Sequence, residues 1–237
     1  MQKYNRLQKE DRISEADALE LCQDSDHIVN LVEKFTMDGQ VYLVTKYAAG
    51  GDLLHYCLSQ ENSRHWMSEK RAKHIFQQLA LGIKDMHVQN LVHRDLKLLN
   101  IFMCDSSEMP RVKVGDLGLA VCLKPGESII KRAGTVAFMA PEVLAEQPTD
   151  FKSDIWSLGV ILYTLLVSHL PFTSDLYTEK NQKELLSLEI PFEGPDWDPI
   201  SPACIDMLKN MLKKDQTERY SIKDVVSHPW FTSPSSD

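Results

Sequence analysis

The sequence lacks long apolar runs and lacks cysteines at disulfide-framework or metal-site spacing. No stretch reaches the roughly 18 apolar residues of a membrane-spanning helix, and the amino terminus carries no apolar signal region. Five cysteines occur without a C-x-x-C pair: Cys22, Cys57, Cys104, Cys122 and Cys204. An odd, scattered set is typical of free thiols in a reducing compartment. We therefore expect a protein of the cytoplasm, or alternatively the nucleus, with no membrane partner.

The chain also lacks an excess of basic residues. It has 26 Lys and Arg against 34 Asp and Glu, which gives a formal net charge of -8. An acidic balance argues against a nucleic-acid partner and against an anionic membrane surface. With 237 residues, 43% of them hydrophobic, the chain can build one large domain or two small lobes with a core.

The amino-terminal pattern predicts a helix followed by a β-hairpin. Residues 12–22 place apolar side chains at helical spacing, and Ser14 lies near the expected helix start. Residues 27–35 and 40–47 are rich in β-branched and aromatic side chains. The Asp38-Gly39 pair between them is a hairpin signal.

The rest of the chain is predicted to be largely helical. Residues 68–88 follow helical spacing with Ser68 as a plausible N-cap, and the pattern after Asp154 predicts helix throughout. Short strands are expected at 100–103 and 112–114, and a loop over 116–142. The expected fold class is therefore α+β, in two unequal lobes.

One stretch, LVHRDLKLLNIF at residues 91–102, places three chemically distinct polar groups close together. Phosphoryl transfer needs an oriented hydroxyl, a neutralised phosphate charge and a bound divalent cation. Asp95 can accept the hydroxyl proton, Lys97 can pair with the phosphate, and Asn100 can offer an amide oxygen to Mg²⁺. This reaction also requires a carboxylate as a second metal ligand, and Asp116 in VGDLGLA supplies it. Taken alone, a solvated charged turn is the alternative interpretation of the stretch.

The motifs HRDLKLLN, DLG and GTVAFMAPE follow one another in an order and spacing that resemble the eukaryotic protein kinase family. The lysine two residues after the aspartate resembles the serine/threonine branch. The resemblance runs from about residue 15 to residue 231 and implies a two-lobed kinase fold. It further implies that Asp95, Lys97 and Thr135 are the catalytic residues and that Asn100 and Asp116 are the magnesium ligands.

The stretch YLVTKYAAGGDLL resembles the strand and hinge that hold the adenine of ATP. On this resemblance Thr45 is the gatekeeper, and residues from Lys46 to Ala48 offer backbone hydrogen bonds. Asp52 is expected near the ribose, and Phe102 resembles part of the adenine-lining column. The implied cofactors are ATP and Mg²⁺.

Further residues are implied to support this site. Arg94 resembles the arginine that pairs with an activation-loop phosphate, and Ser128 is the candidate acceptor of that phosphate. Asp154 resembles the buried aspartate that holds the catalytic loop, and Glu142 resembles the acid that pairs with Arg219. The implied partners are a protein substrate with a Ser or Thr acceptor and a regulatory protein or upstream kinase.

The chain lacks the glycine-rich loop with which the family begins, because no G-x-G-x-x-G occurs anywhere. Glu15 falls where the family has a nucleotide-site glutamate on a helix, and Lys3 is the candidate for its partner lysine. We interpret residues 1–237 as one kinase domain, with 1–47 a remnant of the β lobe and 48–237 the hinge and helical lobe. We expect an incomplete record of an active kinase, with a complete pseudokinase that acts as a binding scaffold as the alternative.

The subgroup and the substrate are left open by the sequence. The chain resembles calcium/calmodulin-dependent kinases at SHPWF and NIMA-related kinases at GGDLL and HRDLKLLNIF. Leu98 and Leu99 replace a frequent Pro-Glu, and Thr164 stands where kinases that select basic substrates often have glutamate. A small-molecule kinase of similar fold is a third class, which the peptide-positioning stretch GTVAFMAPE argues against.

Overall fold

A computed structural model describes residues 4–5, 13–59, 66–172 and 187–232 of the chain. The helices are α1 (Glu15–Leu21), α2 (Leu53–Leu58), α3 (Glu69–Val88), α4 (Pro141–Leu144), α5 (Lys152–Val167), α6 (Pro202–Met211) and α7 (Ile222–Val226). The strands are β1 (Tyr4–Asn5), β2 (Leu31–Met37), β3 (Gln40–Thr45), β4 (Leu91–Val92), β5 (Ile101–Met103), β6 (Val112–Val114), β7 (Val121–Cys122) and β8 (Ser128–Ile129). Among the described residues the strands form two-stranded pairs: β2 with β3, β4 with β7, β5 with β6, all antiparallel, and β1 parallel to β8.

In the described residues, the amino-terminal part includes β1, α1 and the β2–β3 hairpin. Ser14 caps α1 by accepting a hydrogen bond from the Asp17 N–H at 3.2 Å. Asp38 and Gly39 form the hairpin turn with φ angles of 52° and 76°. Positive φ at both central residues suits the right-handed twist of the flanking strands. The helix and the hairpin predicted from the sequence are confirmed.

The helical lobe is built around α5. Every residue of α5 except Lys152 is buried, so this helix has no solvent face. Helix α3 packs against it with one apolar face and begins at Ser68, whose hydroxyl accepts a hydrogen bond from the Arg71 N–H. Among the described residues, the few strands and the large helical part confirm the predicted α+β, two-lobed fold.

The prediction of helix throughout after Asp154 is wrong for residues 189–200, which are turns and coil between α5 and α6. Pro191, Pro195 and Pro199 cannot donate a backbone hydrogen bond to a helix. Gly194 adopts a φ of 101°, which a right-handed helix does not contain. The predicted loop over 116–142 is also interrupted by the short strands β7 and β8.

Two simpler expectations concern cysteines and membranes. All five cysteines lie in the described residues and are free thiols, as their scattered spacing predicted. Within the described ranges, no helix combines the length and the apolar character needed to cross a bilayer.

The β2–β3 hairpin carries exposed apolar side chains on both of its faces. Val32 is 67% exposed and Val41 59% exposed, while Phe35 and Tyr42 stack on the opposite face with ring centroids 5.2 Å apart. Leu43 packs against the core from the face that α1 also contacts. The hairpin therefore buries little apolar surface for its length.

We predict that this chain, as an isolated monomer, exchanges amide hydrogens rapidly before about residue 47 and slowly in 72–86 and 156–166. The hairpin has few buried contacts to lose on opening, whereas α3 and α5 lie in the core. Hydrogen exchange measured by mass spectrometry checks this, with the two helices as an internal control. Uniform protection across the first 47 residues would show that the short lobe is stable by itself.

Candidate active site

The segment between β4 and β5 is held by the carboxylate of Asp154 in α5. Its Oδ2 accepts the His93 N–H at 2.9 Å, and its Oδ1 accepts the Arg94 N–H at 3.0 Å. The His87 ring also meets Oδ2, at 3.0 Å. Two consecutive backbone groups are thereby fixed against a helix that cannot move without disrupting the core. Arg94 itself has a φ of 72°, so the turn that presents Asp95 is a strained one.

The pKa of the Asp154 carboxyl is lowered despite complete burial. Burial is the largest influence and by itself raises this pKa. The hydrogen bond and charge of His87, the charge of His93 and the Arg94 N–H together outweigh it. Asp154 is therefore an ionised group whose charge is stabilised inside the protein.

The three residues predicted to be catalytic form one hydrogen-bonded cluster. Lys97 Nζ lies 2.6 Å from Asp95 Oδ2 and 3.2 Å from Thr135 Oγ1. The Thr135 hydroxyl donates to Asp95 Oδ1 at 2.8 Å. Asp95 and Thr135 are 40 positions apart, so only the fold brings them together. The cluster places an anion, a cation and a hydroxyl within one hydrogen bond of each other.

Gly134 makes the approach of Thr135 to Asp95 possible. Its φ is 106°, and a Cβ at this position would collide with the carbonyl oxygen of Arg94. Only glycine combines this backbone angle with such a close crossing of two chain segments.

The two predicted metal ligands lie at the ends of adjacent strands. The Asn100 side-chain amide donates to the Asp95 carbonyl at 2.8 Å, which leaves its oxygen as the available acceptor. Gly115 N–H donates to the Asn100 carbonyl at 2.9 Å, so the chain enters Asp116 beside Asn100. Asp116 is exposed, with a φ of 57°. An amide oxygen and a carboxylate fit Mg²⁺, which is commonly held by one or two carboxylates together with substrate phosphates.

A cavity of about 430 Å³ lies between the hairpin, the following segment and strand β5. It brings together all five residues predicted for the hinge and the adenine: Thr45, Lys46, Ala48, Asp52 and Phe102. In the described part of the chain, the Lys46 N–H donates to Asn30 at 3.0 Å, while the Lys46 carbonyl and the Ala48 N–H make no hydrogen bond. One acceptor and one donor of the backbone are thus available to a ligand.

The Asp52 carboxylate is already engaged at the edge of this cavity. Its Oδ1 caps α2 by accepting the His55 N–H at 3.0 Å, and its Oδ2 lies 2.7 Å from His55 Nδ1. A ribose hydroxyl at this carboxylate would share it with the helix cap.

Three further residues shape the cavity and were missed in the sequence. Val29 and Lys113 line it, and burial lowers the pKa of the Lys113 ammonium. Gly115 makes room for Phe102, because a Cβ there would come within 2.7 Å of the Phe102 ring. The glycine directly before DLG was a visible signal, whereas Val29 and Lys113 looked like ordinary strand residues.

Glu15 does not line the cavity but points at the Asp116 segment. The pKa of the Glu15 carboxyl is raised, first by burial and then by the negative charge of Asp116. The Leu117 N–H and the charge of His93 lower this pKa, but by less than burial and Asp116 raise it. A Cβ at Gly118 would lie 3.7 Å from Glu15 Oε2, so this carboxylate lies beside the DLG turn. Lys3, the expected partner, lies outside the described residues. The structure thus brings Glu15 to the DLG backbone.

Arg219 and Glu142 form a buried bidentate ion pair at 2.7 and 2.8 Å. The remaining Arg219 donors bond to backbone carbonyls, and its guanidinium lies 5.2 Å from the Trp156 ring centroid. This pair, predicted from the sequence, joins the segment after Thr135 to the carboxy-terminal helices.

Ser128 is poorly placed to accept a phosphate. It lies in strand β8, and its Oγ atom is buried. Phosphorylation there requires β8 to separate from its neighbours. The Arg94 guanidinium meanwhile donates to the carbonyls of Lys131 and Leu119, within the same loop.

The comparisons with known proteins agree with this geometry. The family model described as protein kinase domain matches residues 1–231. The chain is 30% identical to the serine/threonine-protein kinase 17A of Oryctolagus cuniculus over 94% of this chain and 55% of that protein. It is 32% identical to the serine/threonine-protein kinase ATG1c of Arabidopsis thaliana, over 100% of this chain and 31% of that protein. It is 35% identical to the serine/threonine-protein kinase ULK3 of Mus musculus, over 86% of this chain and 42% of that protein. The chain therefore spans about half or less of these relatives' lengths.

We predict that Asp154→Asn lowers the free energy of unfolding by about 3–5 kcal/mol, the usual cost of removing one member of a buried charged cluster. An asparagine offers one acceptor oxygen where the His93 and Arg94 N–H groups need two. Urea denaturation at pH 7 measures the loss. Asp150→Asn, which keeps the oxygen that accepts the Lys152 N–H, is the matched control and should cost under about 1 kcal/mol.

The free energy of unfolding of the wild type and of Asp154→Asn should also depend differently on pH. Because the folded pKa of Asp154 is lowered, its contribution is complete above its unfolded pKa of about 3.9 and is lost as pH falls through the folded value. The difference in the free energy of unfolding between the wild type and Asp154→Asn should therefore shrink as the pH is lowered. An equal advantage at all pH values would show that packing, and not charge, is responsible.

We predict that Glu15→Gln stabilises this chain at pH 7.5. The raised pKa of Glu15 means that the folded state binds its proton more tightly, so ionisation removes stability as pH rises through the unfolded and then the folded pKa. Melting temperatures at pH 5 and pH 7.5 measure the difference, which should grow with pH. Glu20→Gln, at an exposed position of the same helix, is the control. A lower melting temperature for Glu15→Gln at pH 7.5 would reveal a stabilising cation at Glu15.

Proposed function

This chain belongs to the protein kinase family, and we infer from that membership and from its site that it is a serine/threonine protein kinase. The reaction is transfer of the terminal phosphoryl group of ATP to a Ser or Thr hydroxyl of a protein. The observation that carries this proposal is the Asp95–Lys97–Thr135 cluster beside Asn100 and Asp116, close to a cavity of nucleotide size.

We assign the chemistry to three groups of the cluster. Asp95 orients the acceptor hydroxyl and takes its proton, because its carboxylate is held in direct contact with Lys97 and Thr135 in the cluster. Lys97 pairs with the phosphoryl group as its charge is redistributed. The Thr135 hydroxyl, hydrogen-bonded to both, fixes their mutual position and closes the substrate loop on them.

The nucleotide and metal are assigned to the neighbouring groups. Bound Mg²⁺ and ATP supply charge neutralisation and the phosphoryl group. Asn100 and Asp116 would hold the metal. Thr45, Lys46, Ala48 and Phe102 would hold the adenine, with Asp52 near the ribose. Glu15 supports the nucleotide site from α1, by its contact with the DLG backbone.

We further propose that residues 1–237 are one kinase domain, with 1–47 contributing to the β lobe and 48–237 forming the hinge and helical lobe. The proposed partners are a protein substrate and a regulatory protein or upstream kinase that acts on the segment near Arg94. Cytoplasmic or nuclear location, without a nucleic-acid or membrane partner, stays part of the proposal.

The scaffold alternative receives no support from the comparisons, whose reported relatives are named as kinases. A pseudokinase has no need to keep Asp95, Lys97, Asn100 and Asp116 together. All four occur here, in one connected set of hydrogen bonds and adjacent strand ends.

We predict that Asp95→Asn lowers kcat by about 10²–10⁴-fold, the usual effect of losing a positioned acid–base group. Phosphate transfer to a generic Ser/Thr protein substrate measures it, with Asp198→Asn, an exposed and distant isosteric change, as the control. Calorimetry with ATP and Mg²⁺ should show unchanged nucleotide binding, since Asp95 does not line the cavity.

Two results would contradict this assignment. An unchanged rate in Asp95→Asn would remove Asp95 from catalysis. Nucleotide binding without any transfer by the wild-type chain would favour the pseudokinase.

A further inference from the structure

A groove with apolar walls lies beside the catalytic cluster and shares no lining residue with the nucleotide cavity. It encloses about 380 Å³, and Lys97 and Thr135 form the end nearest the site of transfer. We call it the apolar groove and define it by Leu54, Trp66, Leu99, Phe138 and Leu170. We propose that it binds an apolar side chain of the protein substrate, so that the chain selects Leu, Met or Phe over Arg at one position near the acceptor. This inference rests on the proposed function.

The hydroxyl groups in the groove are already used by the protein. Thr164 donates its hydroxyl to the Val160 carbonyl at 2.7 Å, one turn back in α5. The Ser168 hydroxyl oxygen accepts the Trp66 N–H at 2.7 Å. A polar substrate side chain would lose its hydration here and gain little in return, whereas an apolar one would lose nothing.

The charges in the groove oppose a basic substrate side chain. Its ionisable lining residues, among those described, are Lys97 and His169, and both are bases. Lys97 already contacts Asp95 and Thr135. Asp196 approaches His169 to 3.9 Å but is not a lining residue. An arginine or lysine of the substrate would therefore meet the Lys97 ammonium and no lining carboxylate.

Leu99 lines the groove together with Lys97 and Leu98 of the same segment. It lies in the Leu98–Asn100 turn, directly before a proposed metal ligand, and is 43% exposed although Leu98 beside it is buried. Covering an exposed leucine with an apolar ligand group contributes favourably to the free energy of binding. An extended peptide advances about 3.3 Å per residue. A groove that starts at Lys97 is therefore reached by a residue only a few positions from the acceptor.

The test uses peptides with a central Ser and with Leu, Ala, Arg or Glu placed in turn at each flanking position. Binding to the full 237-residue chain is measured by fluorescence polarisation, and phosphate transfer is measured separately on the same peptides. We expect one position at which Leu binds about tenfold better than Arg. Leu99→Glu should reverse that order at the same position, since it adds a carboxylate to the groove. Val88→Glu makes a matched charge change at a 68% exposed site at the end of α3 and should preserve the Leu preference.

Each outcome decides the proposal. A preference for Leu that Leu99→Glu reverses supports it, and does so even when no phosphate is transferred, in which case the proposed function alone fails. A wild-type preference for Arg, or less than twofold discrimination at every position, overturns it. The proposal is also overturned if Leu99→Glu folds, as judged by its melting curve, and shows the same peptide preferences as the wild type. A dimer that Leu99→Glu dissociates, with no change in peptide selectivity, would assign the groove to a second copy of the chain and overturn the proposal.

Discussion

The geometry of the site depends on one buried carboxylate. Asp154 accepts the N–H groups of His93 and Arg94, and it does so from a helix that is buried on all sides. An ionised group in such a place is costly unless it is fully paired, and here two backbone donors and the His87 ring pair it. The strained φ of Arg94 persists because Asp154 holds the N–H groups of Arg94 and of the preceding residue, His93. Asp95 is therefore positioned by the core and not by its own loop.

A second constraint acts on the segment that carries Thr135. Gly134 crosses the Arg94 carbonyl at a distance that no side chain permits, and Thr135 then bonds to Asp95. Further along, Glu142 fixes the same segment to Arg219 by a buried bidentate pair. The cluster is consequently tied to α5 on one side and to the carboxy-terminal helices on the other. This double attachment provides the preorganisation that electrostatic catalysis needs.

The substrate side of the site follows from the same elements. Lys97 and Leu99 belong to one short segment, so the proposed phosphate contact and one wall of the apolar groove are positioned together. The amino-terminal part is less constrained, because α1 and the hairpin meet the rest of the molecule mainly through residues 27–31 and β6. Glu15 reaches the DLG backbone from α1, whose buried residues are Ala16, Ala18 and Leu19.

The sequence by itself determined those features that are encoded within a few residues. Caps and turns are local hydrogen-bond patterns, so the sequence predicted them. It predicted helix starts at Ser14 and Ser68 and a hairpin turn at Asp38-Gly39. The HRDLKLLN motif likewise grouped Asp95, Lys97 and Asn100 correctly. Only the tertiary structure decided that the Ser128 hydroxyl is buried, that Gly115 makes space for Phe102, and that leucines and aromatic rings from five separate segments form one groove. These facts depend on contacts between residues far apart in the chain, whose partners no local pattern of hydrophobicity or turn chemistry specifies.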